Sequence, residues 1–138
     1  MYNSHNLEIP IRQYTTKNLI GVTRTESIQR ACQKMVEFQV GSLVVYDEQV
    51  VGFFTQGDII ERVVARGLSS AEPVDRIMTR ELITADIDTP AHEVLELMQQ
   101  HQIRHVLITE GERITGLFSL RDLIDMERQL FETAISRE

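Results

Sequence analysis

The sequence has a single cysteine, Cys32, in 138 residues. It has no internal partner for a disulfide, which fits a reducing compartment and predicts a cytoplasmic protein. Positive charge is also in short supply: 14 Lys and Arg stand against 21 Asp and Glu, a net charge of −7. Nucleic-acid binders present a basic face to phosphate, so no nucleic-acid partner is expected, although a local basic pocket remains open. No apolar run approaches the roughly 18 residues that a bilayer requires. The start, Met1-Tyr2-Asn3-Ser4-His5-Asn6, lacks the charged and apolar regions of a signal peptide. No membrane partner is expected. The chain shows no Walker-type loop and no Cys–His or Ser–His–Asp constellation, so an enzyme is not expected either. His101 and His105 have the i, i+4 spacing that suits a metal on a helix. The helix should stop near Gln102, however, and His105 should begin a strand, so no metal site is expected.

What the chain does have is a seven-residue stretch that occurs twice. One copy is Gly52-Phe53-Phe54-Thr55-Gln56-Gly57-Asp58 and the other is Gly116-Leu117-Phe118-Ser119-Leu120-Arg121-Asp122. Gly followed by two apolar residues reads as the end of a buried strand. The residues after each Asp have helical spacing. Each copy therefore predicts a strand turning directly into a helix, with Thr55 or Ser119 at the turn and Asp58 or Asp122 in the first helical turn. Two readings stand side by side. The plain one is a capping box, with hydroxyl and carboxylate satisfying the first N–H groups of the helix. The sharper one is a nucleotide cradle: free N–H groups and the helix dipole attract phosphate, and a carboxylate accepts from a ribose diol.

The duplication extends well beyond these turns. Ile11 maps onto Val74, 63 positions on, and the same offset carries Thr16 onto Thr79, Ile20 onto Ile83 and Met35 onto Met98. From Asp58 to Asp122 the offset is 64. The extra residue falls between two apolar runs, at a hairpin tip, where it leaves both strands intact. The chain is a tandem duplication. Each copy predicts β-α-β-β-α. The first strands are Leu19 to Val22 and Leu82 to Ala85. The next helices carry Ile28, Ala31, Cys32 and Met35, or Ala91, Val94, Leu95 and Met98, on one face. Thr89-Pro90 predicts Thr at the N-cap and Pro at the first helical position. A hairpin follows, then a closing helix that ends at Gly67 in the first copy and near Phe131 in the second. The division is an N-terminal arm at 1–10, a first repeat at 11–68, a linker at 69–73, a second repeat at 74–132 and a tail at 133–138. Hydrophobic residues make up 42% of the chain, enough for a core. Arg62 and Arg66 read as members of surface pairs, and His92 as a solvated helix residue.

The tandem β-α-β-β-α unit resembles a pair of CBS domains. The resemblance is carried by the two Gly-apolar-apolar-Thr/Ser-x-x-Asp stretches, by Val74-Asp75-Arg76-Ile77-Met78-Thr79, and by Gln102-Ile103-Arg104-His105-Val106-Leu107-Ile108. It covers nearly everything from Ile11 to Phe131. It implies an α+β fold with pseudo-twofold symmetry and a regulatory module in place of an enzyme. It also implies two clefts between the repeats for an adenosine-containing ligand such as AMP, ADP, ATP or S-adenosylmethionine. Carried over by resemblance, one cleft uses Ser119, Arg121 and Asp122, with Arg104 and His105 near phosphate and Thr16 and Ile20 near the base. The other uses Thr55 and Asp58 with Thr79 and Ile83. The nucleotide is a regulatory ligand and not a cofactor. A homodimer joined through helices is implied, and the output acts in trans on an unidentified effector protein. The alternative is a ligand-free protein-interaction module of the same fold. The closing helices carry more apolar residues than one narrow stripe needs: Ile59, Ile60, Val63 and Val64 in one, Leu123, Ile124, Met126 and Leu130 in the other. The positions matching Arg104, His105 and Arg121 in the first repeat are Gly41, Ser42 and Gly57, so the two clefts are not expected to be equivalent.

Overall fold

The structure, a computed structural model, describes residues 8–15 and 19–136. The first repeat runs β1 (Gly21–Thr23), α1 (Ile28–Phe38), β2 (Ser42–Asp47), β3 (Gln49–Thr55) and a short α2 (Gln56–Asp58) that continues as a π-helical stretch, Ile59–Val64. The second runs β4 (Thr84–Asp86), α3 (Ala91–His101), β5 (His105–Glu110), β6 (Arg113–Ser119) and α4 (Leu120–Ser136). Both follow the expected β-α-β-β-α order, and the α+β class holds. In each repeat the first strand is parallel to the second, and the second and third form an antiparallel hairpin. Among the described residues no helix is long and apolar enough to cross a membrane.

The helices form where the apolar spacing dictates. Along α1, Ile28, Ala31 and Met35 are buried, and Ser27 caps the start by accepting from the Arg30 N–H. Along α3 the buried set is Ala91, Val94 and Met98. Cys32 packs at the edge of the first core, where burial pushes its thiol pKa up. Each helix ends on a glutamine in the left-handed region, Gln39 at φ 56° and Gln102 at φ 53°. Gln102 separates His101, the last residue of α3, from His105, the first of β5, so the two histidines do not share a helix face.

Four local expectations shift. The first ladders begin at Gly21 and Thr84, later than Leu19 and Leu82. The preceding carbonyls of Ile20 and Ile83 each accept one bond, from Val44 and Leu107. The start of α3 also moves: Pro90 is its extended N-cap, and Thr89 makes no cap bond. The reason is a bridge between Pro10 and Pro90, in which the Ala91 N–H reaches the Ile9 carbonyl at 2.9 Å and the Ile11 N–H reaches the Thr89 carbonyl at 2.8 Å. At the other end of the chain α4 passes Phe131 and continues through Ser136, into the expected tail. No Gly or Pro interrupts it, and the Thr133 hydroxyl donates back to the Gln129 carbonyl. The first closing helix is wound with i→i+5 bonds, Ala65 to Ile60 and Leu68 to Val63, before Gly67 turns left-handed at φ 66°. At the hairpin tips, one residue (Glu48, φ 65°) turns the first, while Gly111 (φ 64°) and Glu112 turn the second. This is the extra residue of the longer repeat.

The chain divides into two units, Leu19–Leu82 on one hand and Met1–Asn18 with Ile83–Glu138 on the other. Each has its own core. In the first, Val74, Ile77 and Met78 of the lead-in to the second repeat pack with Val22, Ile28, Met35, Leu43, Val45 and Phe54. Thr79 then bridges Phe53 with bonds of 2.7 and 3.1 Å. Gly52 makes this approach possible, because a Cβ there would lie 2.6 Å from Met78 Sδ and 2.9 Å from the Thr79 carbonyl. Ion pairs fasten the same lead-in. Arg24 meets Asp47 at 2.9 Å and Asp75 at 3.1 Å, and Arg80 meets Asp75 at 2.9 Å. Burial works to raise the Asp75 pKa, but hydrogen bonds and charge from Arg24 and Arg80 outweigh it and hold the carboxyl below its usual range. In the second unit a 3₁₀ turn, Ile11–Tyr14, inserts Ile11 and Tyr14 among Ala91, Val94, Met98, Val106, Ile108 and Phe118. Arg12 there pairs with Asp88.

Candidate functional site

The two strand-to-helix turns are built alike. In the second unit, β6 ends at Ser119, whose N–H donates to Asp122 Oδ2 at 2.7 Å. The Ser119 hydroxyl reaches the same oxygen at 3.0 Å, and the Asp122 N–H returns to the hydroxyl at 3.3 Å. In the first unit, the Thr55 N–H and hydroxyl reach Asp58 Oδ2 at 2.9 and 3.2 Å, and the Asp58 N–H returns to the hydroxyl at 3.3 Å. Both turns are therefore capping boxes. This accounts for one carboxylate oxygen of each Asp, and an ionised carboxylate has room for about four bonds in all.

The second oxygens differ. Asp58 Oδ1 faces Arg62 Nε at 3.6 Å, and Arg62 Nη1 donates to the Ile77 carbonyl at 2.8 Å. Asp122 Oδ1 has no partner among the described residues, and the position matching Arg62 is Met126. Arg62 thus does form a pair, as expected, but with the turn's own carboxylate.

Three of the other expected residues lie on elements that adjoin the second turn. His105 is paired in register with Ser119 across the hairpin, which puts the two side chains on one face. Arg104 immediately precedes β5, and Arg121 lies in the first turn of α4. Both are exposed, and neither forms an ion pair with the described residues. In the first unit Ser42 is in register with Thr55, and the Gly41 carbonyl accepts from the Gln56 N–H at 3.0 Å. Thr79 and Ile20 belong to the unit of Asp58, and Ile83 to the unit of Asp122. Thr16 lies outside the described residues.

One feature escaped the sequence reading. Leu95, Met98, Gln99, Ile103, Arg104 and Leu120 surround a hollow of about 220 Å³ in the second unit. Its lining is apolar apart from the residues Gln99 and Arg104. The available clue was Leu120, an apolar residue directly after the turn serine where the first repeat has Gln56. Leu120 remains about half exposed.

Comparison with known proteins places this geometry. The CBS domain family profile matches residues 11–65 and 74–128. The CBS domain-containing protein YhcV of Bacillus subtilis (strain 168) is 30% identical over 114 residues, covering 82% of this chain and 81% of YhcV. An uncharacterized conserved protein from Pyrococcus horikoshii, solved by crystallography, is 51% identical with a TM-score of 0.82, covering 88% of this chain and 94% of that one. The CBS domain pair of protein MJ0100, in complex with 5-methylthioadenosine and S-adenosyl-L-methionine, is 25% identical with a TM-score of 0.73, covering 85% and 98%. Two matched repeats, each a parallel strand pair with a hairpin and a capped closing helix, leave one conclusion: the chain belongs to the CBS-domain family, as a tandem pair.

Proposed function

We propose that the chain is a regulatory module that binds an adenosine-containing ligand, an adenosine phosphate foremost, at the Ser119–Asp122 turn. The observation that carries this reading is that Asp122 Oδ1 has no partner among the described residues, at a turn whose adjoining elements carry His105, Arg104 and Arg121. The carboxylate accepts the ribose hydroxyls. The N–H groups at the start of α4 and the two guanidiniums neutralise phosphate. The hollow that Arg104 helps to line offers an apolar surface next to that charge. An adenosyl ligand in the related MJ0100 pair supports the ligand class.

Occupancy is passed to a partner protein in trans from a cytoplasmic homodimer, and no bond of the ligand is broken. A second reading, a ligand-free interaction module, is favoured by the exposed apolar residues Ile124, Phe131 and Ile135 of α4. Native purification followed by denaturation and mass spectrometry of the released small molecules separates the two. An adenosine compound in near-stoichiometric yield supports the first. Should purified protein release none, and millimolar AMP, ADP, ATP and S-adenosylmethionine all leave its melting curve unmoved, the second reading prevails.

A further inference from the structure

We infer that Arg62 is an internal occupant of the first repeat's turn, filling the carboxylate position that a ribose would use, so that the chain offers a single adenosyl site. The inference rests on the reading of Asp122 as the ribose carboxylate. Both turns spend Oδ2 on the capping box, which leaves Oδ1 for a ligand. At Asp58 that oxygen already faces a guanidinium, 3.6 Å from Arg62 Nε. The guanidinium is held at its other end by the Ile77 carbonyl at 2.8 Å, and Ile77 is itself buried in the core. It is therefore anchored at two points on one unit. A diol entering here must detach a charged group from a carboxylate whose side chain is only 16% exposed. The second repeat has Met126 at the matching position, a side chain with no charge to offer. The winding differs as well: Arg62 sits in the π-helical stretch Ile59–Val64, while Met126 sits in a regular α-helix. Local π turns are rare and frequent at functional sites.

Isothermal titration of the full chain with adenosine, AMP and 2′,3′-dideoxyadenosine tests this in wild type, Arg62→Met and the reciprocal Met126→Arg. Adenosine isolates the ribose contact from phosphate, and the dideoxy compound lacks the diol. The expected result is one adenosine site in wild type and two in Arg62→Met. Met126→Arg should weaken adenosine at least tenfold. Dideoxyadenosine should gain no site in Arg62→Met. Two sites in wild type, or a folded Arg62→Met that still binds one, overturns the inference. So does a gain confined to AMP, which would make position 62 a phosphate determinant. If Arg62→Met fails to fold, as its melting curve would reveal, Met126→Arg decides alone: unchanged adenosine affinity overturns the inference. If wild type binds nothing and Arg62→Met binds one equivalent, the internal occupant stands and only the reading of Asp122 falls. No binding by any of the three proteins overturns both.

Discussion

His105 stands directly opposite Ser119 in the β5–β6 ladder, and Arg104 precedes it in the chain. The matching pair in the first repeat is Ser42 and Thr55, preceded by Gly41. The two capping boxes make the same bonds, but the charges on the adjoining elements differ. A charge-assisted bond contributes about 1.5–3 kcal/mol. Losing one weakens a phosphorylated ligand by roughly tenfold to a hundredfold, at about 1.4 kcal/mol per decade. AMP should therefore raise the melting temperature by mass action. Asp122→Ala should remove most of that rise and Asp58→Ala little of it. Calorimetry showing equal losses, or a larger loss in Asp58→Ala, would reverse the assignment.

Assembly follows from what the closing helices leave outside. Val63 and Leu123 are buried, and Ile59 and Met126 pack against the cores, so the apolar excess is narrower than the composition of these helices suggests. Ile60 and Val64 remain exposed on the first, and Leu120, Ile124, Phe131 and Ile135 on the second. The last four recur at helical spacing along one side of α4. A twofold homodimer is expected, with light scattering giving twice 15.9 kDa. Ile124→Glu combined with Phe131→Glu should return the mass to that of one chain. A wild-type mass of one chain at micromolar concentration would refute the dimer.

Much of this was legible because the duplication let each repeat check the other. Strand order, hairpin strand lengths and core faces repeat between the copies, and the Thr/Ser-to-Asp spacing fixes the turn. Three things stayed hidden. Thr89 and Pro90 satisfy a local capping rule, but the Pro10 bridge, set by a segment far away in sequence, overrides it. The contact of Arg62 with Asp58 was hidden differently, since i, i+4 spacing permits it without showing that Oδ1 is the oxygen engaged. The apolar hollow depends on how Leu120 and Ile103 meet, which no periodicity reports.

Stability offers an independent check on the helix ends. Gln39 and Gln102 occupy the left-handed position that glycine normally takes at a helix C-terminus. A side chain there costs about 1 kcal/mol. Gln39→Gly and Gln102→Gly should each raise unfolding free energy in urea by about that amount, and the double variant should show the sum. A loss of stability in either would mean that the glutamine side chain holds its turn.

Acid should loosen the clamp on the lead-in at Asp75. Its carboxyl titrates below the usual range in the folded chain, held there against burial by Arg24 and Arg80. The unfolded chain thus takes up the proton first as pH falls. The contribution is full above the unfolded carboxylate pKa, near 4, and is lost as pH drops through the lower folded value. Asp75→Asn should be less stable than wild type at neutral pH, and the two melting temperatures should converge in acid below about pH 4. A gap that stays constant across this range would show that the pairing is not what Asp75 contributes.

One unit is a single unbroken stretch, Leu19–Leu82, while the other joins the N-terminal segment to Ile83–Glu138. That connectivity sets an order of events. The unbroken unit has all its core residues once Met78 has been made, and it can close while the ribosome is still adding the rest. The second unit must wait for Ile11 and Tyr14 to find Val94 and Phe118 from far back in the chain, with a loop-closure cost that grows with the intervening length. Pulse-labelling hydrogen exchange during refolding should therefore protect the amides of β2 and β3 before those of β5 and β6. Simultaneous protection would mean that the two units fold as one.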